Sequence, residues 1–160
     1  KLFQEIIPIS CVSNLSDADA IALEKSSADV IERTNKLNES CLKLRNHLET
    51  HPRIEEVLHP SNCSNFKSIM RNKAGFGCLL SLNISGGIEK AIAFYDSLKV
   101  CKGPSLGTNF TLACPYVLLA HYKELDWASK CGVPSDLLRI SVGLEDPDDL
   151  WERFKNALKA

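Results

Sequence analysis

Arg139 is the residue in this sequence best suited to chemistry. It stands in the run Leu137-Leu138-Arg139-Ile140-Ser141-Val142, whose alternation puts Leu138, Ile140 and Val142 on one side and Leu137, Arg139 and Ser141 on the other. A guanidinium in mid-strand is either solvated on an open face or aimed at an anion. Its planar fork suits two parallel hydrogen bonds to a carboxylate. An arginine paired with an acid of its own domain would show the same local pattern. Ser105-Leu106-Gly107, after Gly103-Pro104, is a second candidate: such a loop can offer backbone N–H groups and a hydroxyl to an anion, or be an ordinary turn. Other matches are weaker. His121, near Tyr122, has no partner visible as a triad and reads as a packing or capping histidine. Ser64-Asn65-Phe66-Lys67 spells SxxK on a loop without companion motifs. Gly75-Phe76-Gly77 precedes a strand and lacks the third glycine of a dinucleotide fingerprint. Glu145, Asp146, Asp148 and Asp149 resemble a cation cluster, but helix capping explains the aspartates better.

The elements that must position these residues are legible in outline. Residues 1–15 read as an extended lead-in. Ser16 is placed to cap a helix with Asp17 and Asp19 in its first turn, and no Pro or Gly interrupts from there to Thr50. Leu23, Val30, Leu37 and Leu44 recur every seven residues, with Cys41 and Leu48 beside them, which predicts an apolar stripe. Unbroken, that helix would span on the order of 50 Å. Such length needs a reason, either a coiled coil or a bridge between two domains. Pro52 ends it, because the residue before a proline avoids helical geometry. Strands are predicted over 53–58 and within 75–84, the second with Cys78, Leu80, Leu82 and Ile84 on its apolar face. A helix opened by Ser85-Gly86-Gly87 should bury Ile88, Ala91, Ile92, Tyr95 and Leu98. A short strand at Val100–Cys101, a loop leading into another strand, a helix or turn within 116–131, and a strand over 137–144 follow. Asp146, Pro147 and two further acids start a last helix with Leu150, Phe154, Ala157 and Leu158 inward. The fold class is α+β: a mainly antiparallel sheet of about four strands with helices on one face, preceded by a long connecting helix.

Composition bounds the partners. The 160 residues carry a net charge of −1, with basic residues scattered, so the sequence offers no footprint for nucleic acid. No apolar run approaches the roughly 20 residues of a membrane helix, and the start shows no secretory signal. Beginning with Lys1 rather than Met, the sequence reads as a fragment or a processed form. Seven cysteines, an odd number with no CxxC pair, argue against a disulfide framework or zinc site. We expect them to be small buried hydrophobes in a reducing compartment, hence a cytoplasmic protein. The four histidines show no metal-ligand spacing.

The pieces meet a known pattern. Residues 105–158, SLGTNFTLACPYVLLAHYKELDWASKCGVPSDLLRISVGLEDPDDLWERFKNAL, resemble the C-terminal end of the Cys/Met-metabolism pyridoxal-phosphate (PLP) enzymes, the cystathionine γ-synthase family. GFGCLLSLNISGGIEKAIAFYDSL and LNESCLKLRNHLETHPRIEEVLHPS are similar to upstream segments of that family. The match covers most of residues 17–158, and LRISVGLED after SLG is its specific part. Thr108-Asn109, where the family usually has Gly-Val, resembles the fungal-type branch.

The resemblance implies the C-terminal small domain of PLP fold type I. Residues 1–50 would then be the lead-in and inter-domain helix, and 51–160 the substrate-carboxylate domain. It implies that Arg139 holds the substrate α-carboxylate and that Ser105 assists, fixing the substrate's Cα for reaction. It implies a parent enzyme, homo-oligomeric and PLP-dependent, that joins an activated homoserine ester to cysteine to give cystathionine. A lyase or a homoserine-ester sulfhydrylase of the same family stays open. The cofactor's lysine, its aspartate and the phosphate loop would lie in a missing N-terminal PLP domain, so we expect no cofactor and no turnover in this piece alone. A different class stays open too: a non-catalytic module in which the long helix mediates dimerisation.

Overall fold

The computed structural model describes residues 15–160, so the predicted lead-in, apart from Leu15, and Cys11 lie outside the described residues. Helix α1, Asp17–Ser27, is capped as the sequence predicts: Ser16 Oγ accepts from the Asp19 amide at 3.1 Å. It buries no residue. Helix α2 runs Val30–Glu49. The helix expected as one piece is therefore interrupted by a turn at Ala28–Asp29. Ser27 Oγ donates to the Glu24 carbonyl at 3.0 Å, a side-chain bond of the kind that competes with helical backbone pairing.

Residues 33–160 form one compact unit. In it α2 buries Leu37, Ser40, Cys41, Leu44 and Leu48, a stripe of helical period, and stops one residue before His51-Pro52. The sheet has five strands: β1 (Ile54–Leu58), β2 (Leu79–Ile84), β3 (Cys101–Lys102), β4 (Leu112–Cys114) and β5 (Leu138–Ser141), in the order β1-β2-β5-β4-β3. Neighbours are antiparallel except β3 and β4, whose two-residue parallel ladder supplies the fifth strand. Between β1 and β2 lie a 3-10 turn at Pro60–Asn62 and the short helix α3 (Ser64–Ile69). Helix α4 is Ile88–Ser97, α5 Tyr116–Ala120, α6 Leu125–Lys130 and α7 Pro147–Ala157.

One face of the sheet carries the main core. Leu80 and Leu82 of β2, Ala113 of β4 and Leu138, Ile140 and Val142 join Leu44 and Leu48 of α2, Ala91 and Phe94 of α4, and Leu150 and Phe154 of α7. The Phe94 and Phe154 rings meet tilted at 6.0 Å. Helix α4 departs from its predicted stripe. Ala91, Phe94 and Leu98 are buried, while Ile88 and Ile92 are 43% and 51% exposed. Phe94 carries the larger apolar area and has an aromatic partner in Phe154, so the helix turns that side inward. The predicted start of α7 holds: Asp146 Oδ1 accepts from the Asp148 and Asp149 amides at 3.0 and 3.1 Å, and Pro147 occupies the first turn. A second, small cluster of Val117, Ala128 and Leu137 ties α5 and α6 to the start of β5.

The cysteine expectation needs correction. Cys41 and Cys114 are buried, but Cys63, Cys101 and Cys131 are exposed, and all six described cysteines are free. These three sit in turns and short edge elements, away from the strand that buries Cys114 between its neighbours. Among the described residues no helix is long and apolar enough to cross a membrane.

Candidate functional site

β5 occupies the middle of the sheet, and its register decides what surrounds Arg139. On one side Arg139 faces Ser81 of β2; on the other it faces Cys114 of β4. Its neighbours Leu138 and Ile140 point into the core, so the guanidinium emerges on the opposite face. There it is half-buried. Nη2 donates to the Pro104 carbonyl at 2.5 Å and to the Ser105 carbonyl at 3.2 Å. The guanidinium carbon lies 5.1 Å from the centre of the Tyr116 ring. No carboxylate pairs with it among the described residues, whereas Arg45 pairs with Glu49 and Arg153 with Asp149. Nη1 and Nε of Arg139 thus have no protein acceptor among those residues, and Nη1 keeps its N–H donors in the guanidinium plane. The two residues picked from the sequence, Arg139 and Ser105, are brought together. Ser105 is exposed beside the guanidinium, joined to it through its carbonyl.

The loop that carries Ser105 is held by β5 and by the turn that follows it. The Gly107 amide donates to Ser141 Oγ at 2.9 Å. Gly107 has φ 71°, which a side chain would strain. Farther along, the Thr111 amide and hydroxyl both donate to Glu145, at 2.7 Å to Oε1 and 2.8 Å to Oε2. Thr111 Oγ in turn accepts from the Gly143 amide at 2.9 Å, and the Leu144 amide donates to the Asn109 carbonyl at 2.8 Å. Thr111 is fully buried, so this paired carboxylate and hydroxyl satisfy polar groups that would otherwise be costly. Gly143 makes the contact possible: a Cβ there would stand 2.5 Å from the Phe110 carbonyl carbon and from the Thr111 nitrogen.

Ser141, Thr111, Gly143 and Glu145 were not picked from the sequence as site residues. Glu145, one of the four acids that resemble a cation cluster, serves the loop, and Asp146 does the capping. Their one sequence signal is position, on the strand and turn that carry Arg139. Tyr116 was missed as well, because its nearness to Arg139 depends on β4 lying beside β5. His121 packs its edge on Tyr116 with centroids 5.7 Å apart, and its Nδ1 meets Glu124 Oε1 at 2.6 Å. Cys114, the ladder partner of Arg139, has its thiol pKa pushed up by burial, with the positive charge of Arg139 opposing. Ser64 and Lys67 sit exposed on α3, and Gly77 donates its amide to Asn38 Oδ1 at 2.7 Å.

An enclosed pyridoxal-phosphate site needs a lysine placed in a cleft to bind the cofactor covalently. Every lysine among the described residues is exposed. The described residues do not fit that group.

The sequence and the fold both have known relatives. The sequence pattern of the Cys/Met metabolism PLP-dependent enzyme family matches residues 13–159. The chain is 43% identical over 144 residues to the cystathionine gamma-synthase of Neurospora crassa, covering 88% of this chain and 23% of that protein. It is 43% identical over 150 residues to the cystathionine gamma-synthase of Saccharomyces cerevisiae, again covering 88% and 23%. The crystal structure of cystathionine gamma synthase from Xanthomonas oryzae pv. oryzae in complex with cystathionine shares the fold, with TM-score 0.74 at 23% identity over 82% of this chain and 35% of that one. The chain therefore spans about a quarter of the length of the curated relatives it matches. With 147 of its 160 residues inside that pattern, this chain belongs to the Cys/Met metabolism PLP-dependent enzyme family.

Proposed function

We propose that the Arg139 face binds the α-carboxylate of an amino-acid substrate within a longer PLP-dependent enzyme. In this reading the parent is a cystathionine γ-synthase, joining an activated homoserine ester to cysteine in the cytoplasm. The observation that carries it is the state of Arg139. One nitrogen is tethered to the carbonyls of Pro104 and Ser105, and the other two are left for a ligand on the face away from the core. Tethering one nitrogen orders a side chain that is otherwise rich in rotamers, so less entropy is lost when a carboxylate binds. A carboxylate on Nη1 would complete the pairing, with the Ser105 hydroxyl beside it. The lysine and phosphate-binding groups for the cofactor would belong to residues beyond this chain. The 43% identity to two fungal cystathionine gamma-synthases supports this reaction over the lyase and sulfhydrylase alternatives. The free thiols suit a reducing compartment.

The test is kinetic, on the full-length protein. Arg139→Ala should raise the KM for the amino-acid substrate about 10- to 100-fold, the worth of a hydrogen bond to a charged group. An unchanged KM for every amino-acid substrate would overturn the assignment. A second reading, a dimerisation module, draws on the exposed Ile21 and Leu23 of α1 and Val30 and Ile31 of α2. It expects sedimentation to show a dimer that Leu23→Ser dissolves, in a parent that has no cofactor lysine. A parent that turns over substrate removes that reading.

A further inference from the structure

Tyr116 lies outside the motif that nominated Arg139 and Ser105. Its place follows from the sheet. Cys114 is the ladder partner of Arg139, and two residues later the chain has turned through Pro115 into α5. The phenol ring is thereby carried over the guanidinium, 5.1 Å from ring centre to Cζ. The ring also makes a T-shaped contact with His121, whose Nδ1 meets Glu124. Tyr116 is 37% exposed, so the ring borders the open face rather than the core.

Two directions of the guanidinium are now accounted for. Its Nη2 corner is bonded to the Pro104 and Ser105 carbonyls, and a flank lies against an aromatic ring. An aromatic quadrupole attracts a cation above its face, and arginine stacks there without giving up its in-plane donors. A carboxylate approaches in the guanidinium plane, so the ring holds the group without competing for the ligand. It also keeps water from one side, which strengthens the remaining ion pair.

We propose that Tyr116 is a positioning residue for the carboxylate site: its ring fixes the plane of the Arg139 guanidinium so that Nη1 faces the substrate. The proposal rests on the carboxylate reading above and deepens it. It assigns the work to the ring face and none to the phenol hydroxyl. His121 and Glu124 act one step further out, as the support of the ring.

The experiment compares Tyr116→Phe, Tyr116→Leu and Arg139→Ala in the full-length enzyme, with Leu chosen to keep bulk while removing the quadrupole. Tyr116→Phe should leave the KM for the amino-acid substrate within about twofold. Tyr116→Leu should raise it about 3- to 10-fold with kcat changed less, in line with a cation–π contact. In an Arg139→Ala background the same Leu substitution should have no further effect on KM. Matching thermal midpoints of the Phe and Leu variants establish that the difference is one of orientation and not of folding. A Leu variant with unchanged KM, while Arg139→Ala raises it, overturns the role of Tyr116 and leaves the carboxylate reading standing. A Leu effect that persists in full without Arg139 also overturns it. An Arg139→Ala enzyme with normal KM overturns the carboxylate reading and this inference together.

Discussion

The two faces of β5 are built on opposite principles. Leu138, Ile140 and Val142 are sealed in the main core against α4 and α7, and tolerance there is set by volume. Arg139 and Ser141, one residue out of phase, hold a loop through hydrogen bonds: Arg139 to Pro104 and Ser105, Ser141 to Gly107. The closed face makes the strand rigid, and the open face uses that rigidity to present a charged donor group. A positioned charge needs no apolar surface of its own. It needs a backbone that does not move, and the buried face supplies one.

The comparison is broken most severely from the closed side. Phe154→Ala removes a fully buried ring that packs on Phe94 and should cost about 3–5 kcal/mol, read from urea unfolding. A loss under about 1 kcal/mol would mean that the core is not what holds β5. Gly143→Ala strikes the joint between the faces. Its Cβ would meet the Phe110 and Thr111 backbone at 2.5 Å, so the loop must shift, at a cost of about 1–3 kcal/mol. That shift should also raise the KM of the full-length enzyme, because the Thr111–Glu145 clamp holds the segment that carries Ser105. A stable variant with unchanged KM would show that the clamp and the site are independent.

The smallest effect sharpens the contrast through pH. His59 is buried, with Nε2 3.7 Å from Cys41 Sγ and Nδ1 2.7 Å from Ser61 Oγ. Burial pushes its pKa below the ordinary 6.5, the positive charge of Arg45 adds to this, and Glu49 opposes it. The unfolded chain therefore takes up this proton first as pH falls through about 6.5, and stability drops from there to the lower folded value; it is fully present above 6.5. His59→Phe should flatten that part of the stability–pH curve. An unchanged curve would mean that another group carries the dependence. Burial also raises the Cys41 thiol pKa to about 12, so it stays protonated across this range and acts as packing.

Much of this was legible beforehand where a local rule has one solution. The Asp146-Pro147 start, the stop before His51-Pro52 and the alternation of β5 each follow from backbone sterics and capping. The stripe of α4 was not legible, since Ile88-Ile92-Tyr95 and Ala91-Phe94-Leu98 are both apolar and only the partner, Phe154, chooses between them. Nor was the heptad from Leu23 to Leu44. Leu37 and Leu44 are buried, but Leu23 and Val30 are 61% and 46% exposed, although the spacing is the same.

By itself the sequence determined which side of its strand Arg139 must occupy, because a strand's period of two leaves no other choice once Leu138 and Ile140 go inward. It also determined, through the order of SLG and LRISVGLED, the family to which the chain belongs. Only the tertiary structure decided what meets the guanidinium. Pro104, Ser105 and Tyr116 lie 35, 34 and 23 residues before Arg139, and they converge on it because β4 pairs with β5 and the loop is clamped to the Ser141–Glu145 turn. Contacts across such separations depend on which strands become neighbours, and no local propensity encodes that choice.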